Sequence, residues 1–173
     1  MKLRPELEPK IATAEKLFPQ IVELITIYDD GYDNDDREKI ATAINQINSL
    51  TGKNITEDDL FEYWEGYSKE ELALQFAIPE PVKVDNITKD ELLEIMKRMQ
   101  SFDDDGISET LSALGAPLSY ILTYEYYSPL LEQNFSYPEP YGLFERQKIN
   151  GNYIELTAEE IAEKIWTHKP IEL

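Results

Sequence analysis

Cysteine is absent from this chain, histidine occurs once, and glycine occurs only seven times in 173 residues. Without cysteine there is no thiol nucleophile, no redox pair and no zinc–thiolate site. The single histidine, His168, excludes any multi-histidine metal centre. Its place near the end of the last expected helix suits an imidazolium held by the helix dipole better than a catalytic base. With glycine so sparse, neither the G-x-x-x-x-G-K-[ST] nor the G-x-G-x-x-G phosphate loop occurs, and no G-x-S-x-G nucleophile elbow is present. No apolar run approaches the roughly 18 residues of a membrane span. Residues 1–6 lack the apolar core of a signal peptide, so a cytoplasmic protein without a membrane partner is expected.

Positive charge is also scarce. Sixteen Lys and Arg face 35 Asp and Glu, a formal net charge of −19. A nucleic acid bound by phosphate neutralisation is disfavoured at that charge, whereas a basic protein would be steered toward it. Two acid-rich stretches, residues 29–36 and 103–105, invite a calcium reading. In both, glycine stands at the wrong offset and no glutamate closes the twelve-residue loop of an EF-hand, so no metal site and no cofactor is expected. With 35 acids, paired carboxylates for glycoside chemistry carry no signal, and no catalytic residue can be assigned.

What the chain does have is one local rule repeated four times: an apolar residue, Thr or Ser, two residues, Asp or Glu, then Leu or Ile. It opens at Ile55-Thr56, Tyr67-Ser68, Ile87-Thr88 and Leu156-Thr157. Each copy is a capping box within a hydrophobic staple, and it predicts an N-cap at Thr56, Ser68, Thr88 and Thr157. Apolar stripes at helical spacing add helices over residues 10–28 and 36–50. Pro19 is expected to kink or divide the first, Asp29-Asp30-Gly31 to end it, and Asn34 or Asp35 to cap the second. Pro129 is expected to break the Tyr-rich helix that starts near Pro117. Asn150-Gly151 between apolar-bearing runs signals a hairpin, and Val82 and Val84 alternate like a short strand.

The aromatic residues divide into two expected classes. The run Phe61, Tyr63, Trp64 and Tyr67 could line a binding surface, but its spacing of three and four on predicted helices reads as core, as does Trp166 on the last helix. Tyr32 in the first acidic stretch, with Tyr137 and Tyr141 in the proline–tyrosine loop, read as accessible binding residues. Tyrosine and proline there supply contact area at little conformational cost.

The expectation is a single domain over residues 1–173, mainly α (α+β), a compact domain of about seven to eight helices with a small C-terminal β-hairpin. Its expected role is that of an acidic, non-enzymatic protein–protein interaction module, an inhibitor or immunity-type protein for a basic partner by analogy of charge and size. A carboxylate- and metal-dependent hydrolase and a structural subunit of a larger assembly are the alternatives.

Overall fold

The computed structural model describes residues 2–100, 109–113, 115–135, 137–138, 140–149 and 151–168. Its helices are α1 (Ile11–Asp33), α2 (Arg37–Thr51), α3 (Lys69–Ala77), α4 (Lys89–Gln100), α5 (Glu109–Ser112), α6 (Gly115–Ile121), α7 (Ser128–Asn134) and α8 (Ala158–Thr167). Two 3-10 turns lie at Tyr63–Glu65 and Pro140–Phe144, a π-helical stretch at Leu122–Tyr127, and an antiparallel pair β1 (Gln147–Ile149) and β2 (Asn152–Ile154). The protein is mainly α with one small C-terminal hairpin. α5 is a single turn, and α6, the π stretch and α7 follow one another without a gap. The longer helices therefore number six among the described residues, fewer than the spacing suggested. The difference arises because no helix opens at Thr56 and α5 is one turn; nor does Pro129 break its helix. The preceding turn widens to π instead, and the hydroxyl of buried Ser128 donates to the Thr123 carbonyl at 3.0 Å.

The chain forms two compact units. One comprises residues 10–79 and 106–121. Its longest element, α1, runs 23 residues with Ala14, Phe18, Ile21, Leu24, Ile25, Tyr28 and Gly31 buried. Pro19 neither divides nor ends it. The proline sits on the exposed face, where the clash and the missing amide fall on the water side, while Phe18 and Ile21 hold both flanking turns inward. Nor does Gly31 end the helix: it is a close-approach point. A Cβ there would stand 3.1 Å from Ile40 Cγ1 and 3.2 Å from the Ile40 amide nitrogen, so α1 and α2 meet across it. The helix continues to Asp33, and the cap of α2 is Asp36, whose side chain accepts from the Lys39 amide.

The other unit comprises residues 1–9, 80–105 and 122–173. Here α4 buries Leu92, Ile95, Met96 and Met99 and packs on α8, which buries Ala158, Ile161, Ala162 and Ile165. Lys97–Glu159 (3.1 Å) and Lys89–Glu163 link the two helices at the surface. The N-terminal segment is strapped to α4 at two points. Arg4 Nε donates to Glu91 at 2.6 Å, and Arg98 grips Glu8 with both amino groups at 2.6 and 3.2 Å. Burial works to raise the Glu91 pKa, but the Thr88 amide, the Thr88 hydroxyl and Arg4 outweigh it and hold the carboxyl below the usual range. Val82 and Val84 form no strand. The Val84 amide is taken by the Asn134 side chain at 2.8 Å, and Val82 is exposed.

Three of the four capping boxes close reciprocally, with Ser68–Glu71, Thr88–Glu91 and Thr157–Glu160 opening α3, α4 and α8. Thr56 is the exception. Both its amide and its hydroxyl donate to Asp59, each at 2.8 Å, and no helix follows. The N3 acid is one methylene shorter there, and a single turn on the Glu57 carbonyl ends at Glu62, which is left-handed at φ +52°. Ser68→Ala, Thr88→Ala and Thr157→Ala should each cost about 0.5–2 kcal/mol in urea denaturation. Thr56→Ala should cost less than any of them, and an equal loss would show that its turn is nucleated as a helix.

Candidate functional site

The irregular segment after Thr56 builds an exposed aromatic surface in the first unit. Leu60 (0% exposed) and Tyr63 (9%) turn inward, whereas Phe61 (49%), Trp64 (50%) and Tyr67 (40%) turn out. Helical spacing predicted Phe61, Trp64 and Tyr67 in the core, but that spacing presupposes a helix, and the left-handed turn at Glu62 removes it. Trp166, also expected in the core, is 43% exposed, because its neighbour Ile165 takes the inward face of α8.

Tyr32 is the residue around which these rings gather. It lies in the last turn of α1 rather than in a loop, one turn beyond Tyr28, with the two rings stacked at 6.3 Å. Phe61 and Trp64 meet Tyr32 edge-on, at centroid distances of 6.1 and 5.6 Å, and Trp64 also meets Tyr63 at 5.6 Å. Such pairs add modestly to area burial and fix ring orientation.

Beneath the rings, Asp29 joins three elements. Its Oδ2 accepts from the Tyr63 hydroxyl at 3.0 Å and pairs with Lys69 Nζ at 2.8 Å, tying α1 to the 3-10 turn and to the start of α3. Lys69 also donates to Thr26 at 3.0 Å. Asp29 Oδ1 and the hydroxyl of Tyr28, a fully buried residue, have no hydrogen-bond partner among the described residues. Burial first, then Glu57, Tyr32 and Asp29, push the Tyr28 phenol up to about 12. Burial and the bond to Asp29 also raise Tyr63.

Around the rings the charge is one-sided. Residues 29–36 contain Asp29, Asp30, Asp33, Asp35 and Asp36; residues 57–65 contain Glu57, Asp58, Asp59, Glu62 and Glu65 and no cation. Lys39 pairs with Asp30, and Arg37 bridges Asp35 at 3.3 Å and Glu57 at 2.9 Å. The exposed carboxylates of Asp33, Asp58, Glu62 and Glu65 have no ion-pair partner among the described residues. Four aspartates of the first acidic stretch are thus engaged: Asp29 with Tyr63 and Lys69, Asp30 with Lys39, Asp35 with Arg37 and Asp36 with the α2 cap. Among the described residues no group of three or more His, Asp or Glu side chains could hold a metal ion. Residues 103–105 lie outside the described residues.

The other two predicted binding residues belong to the second unit. Tyr137 is half-buried and sets its ring against His168 at 4.9 Å; Tyr141, 38% exposed, meets Tyr124 at 6.1 Å. Ser136 and Glu139 of the proline–tyrosine loop lie outside the described residues. Sequence reasoning selects Tyr32 for binding and assigns its ring neighbours Phe61 and Trp64 to the core. The available signal was the density of acids on both sides of Phe61 and Trp64, which is unusual for a core segment.

The raised phenols generate a pH expectation. Because Tyr28 has a folded-state pKa above the ordinary value near 10, its contribution to stability is fully present below about pH 10 and is lost as the pH climbs toward 12. Tyr63, Tyr126 and Tyr127 are shifted in the same direction, chiefly by burial. Tyrosinate absorbance followed alongside helical circular dichroism should therefore show a late-ionising class that appears together with loss of helix. A single transition of all eleven tyrosines near pH 10, with helicity intact, would contradict this.

Compared with protein-family models, curated proteins and solved structures, the chain has no match.

Proposed function

We propose that this chain is an acidic, non-enzymatic interaction module of the cytoplasm that binds a basic protein through the Tyr32–Phe61–Trp64–Tyr67 surface, in the manner of an inhibitor or immunity-type protein. One observation carries the reading. Phe61 and Trp64, each about half exposed, meet at Tyr32 on two segments whose Asp33, Asp58, Glu62 and Glu65 have no ion-pair partner among the described residues. Charge gives steering and a fast on-rate but little specificity. Specific affinity comes from a few anchors, and Trp and Tyr are the residue types that supply them. The tie from Asp29 to Tyr63 and Lys69 holds the segment in place before binding, which lowers the ordering cost.

The test is retention of a basic partner from native cytosolic extract, followed by binding kinetics at two salt concentrations. Trp64→Ala and Phe61→Ala should each raise the dissociation rate by about tenfold or more, the scale of an interface hot spot. Added salt should mainly lower the association rate. Tyr137→Ala and Tyr141→Ala should leave dissociation near its original value. If the loop variants release the partner and the Trp64 and Phe61 variants do not, the docking surface is the proline–tyrosine loop. Failure to retain any basic partner would sink the reading altogether.

A further inference from the structure

We infer that the partner group seated on this surface is an arginine, its guanidinium stacked on the exposed indole of Trp64 and its N–H groups taken by the carboxylates that bracket that residue. The inference rests on the reading above that this patch is the docking surface. Glu62 and Glu65 flank Trp64 on one 3-10 turn, in which the Glu65 amide bonds the Glu62 carbonyl at 3.0 Å. Glu62, the left-handed residue that opens the turn, and Glu65, its last residue, bracket Tyr63 and Trp64 in the chain. Neither glutamate has an ion-pair partner among the described residues, and Asp33 and Asp58 extend the uncompensated rim.

The chain itself shows that a guanidinium fits this electrostatic setting. Arg37 spans the two acidic segments, with Asp35 on one side and Glu57 on the other. Arginine is favoured over lysine on physical grounds. A planar, weakly hydrated guanidinium can lie on a ring and still present its edge to two carboxylates, whereas an ammonium is a strongly hydrated point charge. Tryptophan offers the best face for a cation among the aromatic side chains. The rim attracts either residue by charge; the exposed indole distinguishes them.

Octa-arginine and octa-lysine, matched in charge, are the probes. In a Trp166→Phe background the only indole emission comes from Trp64. At physiological salt, octa-arginine should bind about two- to fivefold more tightly than octa-lysine, the scale of an exposed cation–π contact, and should change Trp64 emission on binding. Trp64→Leu, measured in the natural Trp166 background with helicity checked by circular dichroism, should bring octa-arginine down to the octa-lysine level. Trp64→Phe should retain part of the preference, and the double change Glu62→Gln with Glu65→Gln should weaken both peptides. Equal affinity of the two peptides, or an arginine preference that survives Trp64→Leu, overturns the inference. Those outcomes alongside a basic partner that still requires Trp64 and Phe61 would leave the docking surface standing and remove only its arginine specificity. A partner indifferent to both residues would remove the docking surface itself.

Discussion

Sixteen cationic side chains must serve 35 carboxylates, and the placement of those few cations governs where this chain can bury charge. A carboxylate withdrawn from water needs a partner, since an unpaired one costs several kcal/mol. Several partly buried acids accordingly receive cations, while other cations pair with exposed acids such as Asp30, Glu159 and Glu163. Glu91, 7% exposed, takes Arg4, the Glu8 and Glu94 pair shares Arg98, and Asp29 takes Lys69. Helix N-termini absorb a second group of acids without any cation, as at Glu71 and Glu160, where backbone amides and the dipole do the neutralising. What is left over sits on the surface unpaired. The rim of the aromatic patch belongs to this remainder.

The same allocation explains the firmness of the irregular segment between α2 and α3. It has no ladder and no extended helix of its own, and its backbone bonds are those of single turns. Buried Ile55 and Leu60 anchor its start, and the Asn48 side chain bonds both the amide and the carbonyl of Ile55 at 2.7 Å. Asp29 fastens its end through Tyr63. Between these fixed points Phe61 lies against Tyr32 and Trp64 against Tyr32 and Tyr63, and about half of each residue stays exposed. Their exposure is a consequence of where the fixed points fall, not of looseness.

This also separates what the sequence made legible from what it did not. Three helix starts could be read residue by residue, because a capping box is satisfied within four residues and needs no tertiary partner. The hairpin at Gly151 is local in the same sense. Effects that depend on a distant surface were misread. Pro19 and Pro129 look like helix breaks until it is known which face of the helix meets water and whether the preceding turn can widen. Gly31 looks like a stop signal until Ile40 arrives 3.1 Å from its missing Cβ. Tyr32 was selected for its acidic neighbours, but its ring partners come from residues 61 and 64, roughly thirty positions away, and no local pattern encodes that meeting.

Unpaired acids around an aromatic surface also bear on the energetics of the free molecule. Carboxylates that repel one another destabilise the compact state, and the penalty is greatest where they are densest and least compensated. A basic partner arriving at this patch would gain its own contacts and at the same time relieve repulsion already present. Relief of this kind needs no conformational change and adds to affinity in proportion to the charge left unmatched. It is weakened by salt, which screens the repulsion in the free state and the attraction in the complex alike. The contribution of the rings is nearly indifferent to salt, since it comes from removal of apolar area and from ring geometry. A surface built from both terms can associate quickly through one and discriminate through the other. In this chain the two are carried by adjacent residues of a single short segment, Glu62 and Glu65 on either side of Tyr63 and Trp64.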